Sequence, residues 1–333
     1  MSTTATQTKA RTQNPVTRIL GRILKEQPIW LFVPALVLFF SLAPATSEYF
    51  FDLKNFGNIL LQAVPIGVIA LGMTFVMING EIDLSVGATV ALAASLAVGL
   101  QGALGIFPAV AVGLAVGTAL GVLNGTIVYR TGVDSFIVTL GAMLGIRGLV
   151  FIYTQEQSFY AFDFAYSDFG LSTIGPIPVV GLIFLAITAV LAWVLRSTRH
   201  GRDTYAVGGN REAALNAGVR IGRHVIINFA LIGFLAALSG VLLSTQLGAS
   251  TPNMGMLFEL WVITAVVLGG TKLDGGRGSI LGTLGGVLAI QILRNGLNLM
   301  QVPAFWVLVI LGSIMIGVLF IDRQAEIRKQ AAR

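Results

Sequence analysis

The stretch 79-NGEIDLSVGA-88 holds Glu81 and Asp83, the only charged side chains between Lys54 and Arg130. A charge left at the centre of a bilayer costs roughly 2.5 to 3.5 kcal/mol. Two carboxylates in so apolar a region therefore need an escape or a purpose. The escape is a capped turn at the membrane surface, in which Gly80 ends one helix in a left-handed cap and Asp83, with Ser85 nearby, accepts amide hydrogens at the start of the next. The purpose would be a turn that sinks below the surface and lines a cavity, the one setting in which irregular backbone is tolerated at depth. Local chemistry leaves both readings open. Both place membrane helices on either side.

Composition extends that reading to the whole chain. Of 333 residues, 55% are hydrophobic and only 11% charged, with 40 glycines, whereas soluble domains carry about 25% charge and about 7% glycine. This is the signature of an all-α integral membrane protein. A crossing of roughly 30 Å needs about 20 apolar helical residues. On that measure ten spans are expected, near 30–46, 58–78, 84–102, 106–129, 135–153, 176–195, 224–247, 257–270, 279–300 and 303–321. The eighth is short and bounded by glycines. If 58–102 dips in and returns without crossing, the count falls to eight.

Basic residues orient the chain, because short cytoplasmic loops are enriched in Lys and Arg. With the N-terminus inside, eighteen of the 21 fall on the cytoplasmic side, leaving Lys54 outside and Arg147 and Arg294 within spans. Both termini are expected in the cytoplasm. The +6 net charge is accounted for by this topology, and no nucleic-acid partner is needed to explain it. The start of the chain mimics a secretory signal, with an apolar run from Ile29 and a small-residue site at Ala43-Pro44-Ala45, but nine further spans favour an uncleaved first helix. The expected organisation is a cytoplasmic segment 1–28, one polytopic domain 29–321 and a cytoplasmic tail 322–333.

Absent cysteines exclude disulfides and thiolate metal sites, and His200 and His224 lie among arginines, a poor setting for a metal. Helices in lipid associate through small residues at four-residue spacing. Gly113, Gly117, Gly121 and Gly125 form one such ridge, and Gly278, Gly282 and Gly286 another. Both are read chiefly as packing within one subunit.

The run GEIDLSVGATVALAA (80–94) resembles the signature of the inner-membrane permease subunits of bacterial ATP-binding-cassette importers for ribose, xylose, arabinose, galactose and similar monosaccharides. GRDTYAVGGNREAALNAGVRI (201–221), VLGGTKLDGGRGSILGTLGGVLAIQILRNGLNLM (267–300) and SFIVTLGAMLGIRGLVF (135–151) are similar to the same family, in its order. One departure stands out: the family usually has a second glycine where this chain has Glu81.

The resemblance implies several things. The chain would line the path of a monosaccharide or small polyol across the bacterial inner membrane, as a subunit of an importer with a second permease copy or homologue, ATPase subunits, an extracytoplasmic sugar-binding protein and surrounding lipid. It would bind no cofactor itself, with ATP and Mg on the ATPase. The cytoplasmic segment of about 196–223 would be the coupling segment that docks on that ATPase. Its residues read accordingly: Gly208 and Gly209 for a turn, Asn210 as a cap, Arg211 and Glu212 for polar contacts, Ala213 and Ala214 as exposed small residues, and Gly218 as a stop. The path candidates are Asn79, Glu81, Asp83, Ser85 and Arg147.

No pattern of two glycines four residues apart followed by Lys and Ser or Thr is present, so a phosphate-cradling loop is not expected here. Arg147 lies about 18 Å along its helix at ~1.5 Å per residue, deep enough to need a partner. It can donate to sugar hydroxyls or belong to a structural pair. Arg294, with Asn295 and Asn298, is expected near Glu259, both toward the outer face. The loop 154–170 carries Glu156, Asp163, Asp168 and six aromatics without a basic residue, which suits an interfacial aromatic belt or a docking surface for a binding protein. The rival reading is a proton-coupled secondary transporter, which would need a protonatable carboxylate inside a span. No constellation for an enzyme is apparent.

Overall fold

The computed structural model describes residues 29–42, 47–303 and most of 305–320. The basic terminal segments, which carry part of the argument for cytoplasmic termini, lie outside the described residues, as does part of the tenth candidate span. In chain order the helices are α1 Ile29–Leu42, α2 Ser47–Phe50, α3 Leu53–Ile78, α4 Val86–Gly99, α5 Gln101–Leu104, α6 Ile106–Thr131, α7 Ser135–Thr154, α8 Phe164–Leu171, α9 Val179–Ser197, α10 Arg199–Gly209, α11 Arg211–Asn216, α12 Ile221–Leu247, α13 Phe258–Leu268 and α14 Ile280–Leu299. Two small antiparallel ribbons accompany them: β1 Phe159–Tyr160 with β4 Ala249–Ser250, and β2 Thr173–Ile174 with β3 Ile177–Pro178.

Among the described residues six helices are long and apolar enough to cross a membrane: α3, α6, α7, α9, α12 and α14. Two further stretches read as full spans, 84–102 and 257–270, form shorter helices. α4 has 14 residues and α13 has 11, about 21 and 16 Å of helix at 1.5 Å per residue. Each is reached through non-helical backbone, residues 80–85 before α4 and 248–257 before α13. Both are broken elements.

α3 and α12 form the centre. The apolar window of α3 is 83% buried, against 22% for α6 and for α7. Side chains on these outer helices, such as Leu144 and Ile152, face outward, as lipid-facing residues do. α12 packs on α3, α4 and α6, and so separates α3 from α4 although the two are consecutive.

Glycine makes that packing close. A side chain at Gly121 would collide with the Phe229 carbonyl, one at Gly117 with Ala237, and one at Gly113 with the Ala93 carbonyl, while Gly125 lies against Phe229. On the second ridge Gly282 lies against the Gly269 carbonyl, Gly286 against that of Ala265, and Gly278 against Thr271. Both ridges are thus filled from within the chain.

Buried polar pairs fix the alignment of α3 with α14. Asn55 and Asn295 donate to each other's side-chain oxygens at 3.0 and 2.8 Å, and Thr74 and Thr283 share a hydrogen bond of 2.6 Å. Such bonds contribute about 0.6 kcal/mol each in a bilayer, so they select register more than they add stability.

Candidate functional site

The first break begins where α3 stops. Gly80 takes φ +84°, its N–H donates to Met77 O, and the N–H of Glu81 donates to Val76 O. This is a Schellman ending, which only a residue at ease with positive φ closes without strain. The chain then runs without helix to Ser85. Asp83 is buried, and its Oδ1 accepts from the Ser85 N–H at 2.8 Å and from Ser85 Oγ at 2.6 Å, an Asx turn just ahead of α4. Asn124 of α6 donates to Ser85 Oγ at 3.0 Å.

The Ile82 and Leu84 amides of this segment have no backbone partner among the described residues. α7 supplies acceptors for both: the Ile82 N–H donates to Ser135 Oγ and the Leu84 N–H to Thr139 Oγ1, each at 3.0 Å. The sequence alone assigns no site role to Ser135, Thr139 or Asn124. The available signal was the four-residue spacing of two hydroxyls on α7, and an Asn among the glycines of α6.

The second break enters from the opposite side. After Gly248, β4 pairs with β1, and 251–257 descends along α4 to the start of α13. Arg147 holds it, donating through Nη1 to the carbonyls of Pro252 at 2.7 Å and Met254 at 3.1 Å. The two breaks meet at Gly87 and Gly255. A side chain on Gly87 would strike the Gly255 carbonyl and the Glu259 carboxylate, and one on Gly255 the Gly87 carbonyl.

Two sequence expectations are corrected here. Glu259 lies in the first turn of α13, as expected of that end of the helix, but against Gly87 and with Arg147 rather than Arg294 as its electrostatic partner. Asn295 pairs with Asn55 instead. The physical cause is that apolar content does not report the non-helical backbone ahead of α13, which sets its first turn against α4 and Arg147.

On the side rich in arginine, the segment after α9 folds as α10 and α11. Asn210 caps α11, its Oδ1 accepting from the Ala213 N–H at 2.9 Å, and Gly218 follows with φ +82°. Gly208 and Gly209 do not form the expected turn, because they complete the last turn of α10. Gly208 is needed for proximity: a side chain there would occupy the position of the Ile78 carbonyl. Ala214 is buried, contrary to its expected exposure, while Ala213 and Glu212 are exposed.

This segment is tied to the first break directly through Arg211 and Gly208, and indirectly through the loop 269–279. Arg211 Nη1 lies 3.1 Å from Glu81 Oε1. The Gly276 N–H donates to Ile78 O at 2.8 Å, and Tyr205 Oη donates to Gly278 O at 2.7 Å. Burial pushes the Tyr205 phenol up from its ordinary pKa, so it remains a donor. Burial also lowers the His200 pKa, outweighing its hydrogen bond with Asn228 and the nearby Asp203 carboxylate. Neutral His200 stacks on Phe75 of α3 and meets His224 edge-on.

Asn79, buried, has no hydrogen-bond partner among the described residues on either side-chain atom. In the loop 154–170, Tyr166 is buried and shares a 2.7 Å bond with Ser244, whereas Tyr160, Phe162 and Phe164 are exposed beside the acids. Among the described residues no group of three or more His, Asp or Glu is arranged to hold a metal.

Residues 55–319 match the family model described as "Branched-chain amino acid transport system / permease component". The chain is 42% identical to the ribose import permease protein RbsC of Bacillus subtilis (strain 168), over 83% of this chain and 86% of that protein. It is 37% identical to the D-allose transport system permease protein AlsC of Escherichia coli (strain K12), over 88% and 90%. With the galactose/methyl galactoside import permease protein MglC of the same organism it shares 33%, over 84% and 90%. No solved structure matches the chain.

Proposed function

The chain belongs to this family of transport-system permease components, and we propose that its cargo is a monosaccharide or similar small polyol. It is a multi-pass permease subunit of the bacterial inner membrane, not an enzyme, and forms the translocation path of an ATP-binding-cassette importer. The observation that carries the cargo class is identity of 33 to 42%, over most of both chains, with permeases named for ribose, allose and galactose.

In this proposal an extracytoplasmic binding protein delivers the sugar, a second permease copy or homologue completes the pathway, and ATP with Mg is consumed on a separate ATPase. The chain crosses the membrane ten times, two of the crossings made by the broken elements, with both termini in the cytoplasm and the domain spanning 29–321. The coupling segment, about 196–223, meets the ATPase through Arg211, Glu212 and Ala213, with Gly208, Gly209, Asn210 and buried Ala214 setting its shape.

The mechanism follows from the connections. A displacement of α10 and α11 reaches the end of α3 through Gly208 on the Ile78 carbonyl and through the Arg211–Glu81 pair. Residues 79–85 transmit it to α4, whose start abuts α13. The path runs beside this meeting of breaks, where Arg147 and Glu259 are only partly buried. Asn79 offers its unpaired amide on the inner side, and Asp83 and Ser85 hold the turn that positions it. Glu81 belongs to coupling, which accounts for a carboxylate where the family usually has glycine.

The test is reconstitution with the ATPase and a binding protein in proteoliposomes, following uptake of labelled ribose, allose and galactose together with ATP hydrolysis, for the wild type and Glu212→Arg. The expected result is ATP-dependent uptake of one sugar, lost in a variant that remains folded. Uptake driven by a proton gradient without the ATPase would overturn the importer mechanism, and ATP-dependent uptake of a branched-chain amino acid in place of any sugar would overturn the cargo class.

A further inference from the structure

A cavity of about 1010 Å³ opens where α6 ends and α12 begins. Four arginines line it: Arg130 in the last turn of α6, Arg211 at the start of α11, and Arg220 and Arg223 at the start of α12. Ile226 and Ile227 form part of its apolar wall, and among the described residues its lining holds no acid. α12 has 27 residues and no side-chain cap at its N-terminus, which leaves positive backbone dipole facing the same region. An adjoining cavity of about 600 Å³ shares Arg220 and Arg223 but includes Asp203, a carboxylate that repels anions.

We propose that the larger cavity binds the phosphate of an anionic phospholipid headgroup, with an acyl chain along Ile226 and Ile227. Both helices are membrane-length and both present their arginines at the same end, so the site lies at the level where lipid phosphates sit. Apolar wall and cationic rim together match an amphipathic anion, whereas a fully soluble phosphate has no use for the isoleucines. Basic pockets between transmembrane helices on the cytoplasmic side are suited to such headgroups.

Arg211 gives the site a consequence. Its Nη1 is taken by Glu81, yet the side chain is 51% exposed, and a guanidinium has further donors free. A bound phosphate therefore shares the arginine that ties the coupling segment to the first break. Loss of lipid changes the stiffness of that tie.

The experiment is native mass spectrometry of the purified full chain in detergent, titrated with cardiolipin, phosphatidylglycerol or phosphatidylcholine, and separately with inorganic phosphate. Anionic lipid is expected to remain bound where phosphatidylcholine leaves. Arg220→Gln with Arg223→Gln weakens retention roughly thirty-fold, taking about 1 kcal/mol for each removed charge. Arg196→Gln with Arg202→Gln, on a separate cavity, leaves it unchanged. The double lysine variant at 220 and 223 restores most of the binding and serves as the folded control. Equal retention of phosphatidylcholine, equal loss in both double glutamine variants, or binding of inorganic phosphate without lipid would each overturn the assignment.

Discussion

The two broken elements solve one problem by opposite chemistry. Backbone leaving a helix inside a membrane must find partners for its amides and carbonyls, each costing several kcal/mol if left bare. Ahead of α4 the needy groups are amides, and neutral hydroxyls on Ser135 and Thr139 accept from them. Ahead of α13 they are carbonyls, and a single guanidinium donates to two. Both sets of partners come from α7, so this helix braces both breaks. The first break is also joined to α11, in the proposed coupling segment, through Glu81, while the second is joined to the β1–β4 ribbon. If the proposed coupling holds, a displacement reaches the first break and not the second.

The sharpest way to break this comparison is at the contact the two elements share. Gly87→Leu would force a branched side chain against the Gly255 carbonyl and Glu259, an overpacking cost of about 3 kcal/mol. Uptake should fall to background with a clearly lower thermal midpoint. Wild-type uptake in this variant would mean that the two breaks do not meet.

Arg147→Met comes next. It leaves the Pro252 and Met254 carbonyls unpaired, for a loss of about 2 kcal/mol. Hydrogen exchange should accelerate in 249–258 and not in 79–86, and lysine at this position should restore only part of the protection, because a point charge replaces a planar fork. Acceleration in both segments alike would remove the distinction between them.

Thr139→Ala tests the other half. The Leu84 amide loses its acceptor for about 1 kcal/mol, and exchange should now rise in 79–86 alone.

The smallest effect on stability should come from Glu81→Gln. Because Arg211 is half exposed, solvent screens the pair and the loss is under about 1 kcal/mol. Coupling should respond far more: ATP turned over per sugar imported should rise, with the thermal midpoint nearly unchanged. An unaltered ratio would show that the ion pair transmits nothing.

The sequence by itself determined the class of protein, the positions of the apolar stretches and the glycine ridges, because hydropathy and small-residue spacing act locally along the chain. It also contained the pieces of the first turn: positive φ suits Gly80, and an Asx turn needs only Asp83 and Ser85. Only the tertiary structure decided that 84–102 and 257–270 are broken elements that meet at Gly87 and Gly255, since apolar content reports burial and does not distinguish helix from extended backbone. It alone gave Glu81 its partner, 130 residues away in the sequence, and turned Arg147 from an isolated buried charge into a clamp on two carbonyls. Hydrogen bonds that satisfy non-helical backbone inside a membrane come from whichever helix lies beside it, and that neighbour is set by how the whole bundle packs.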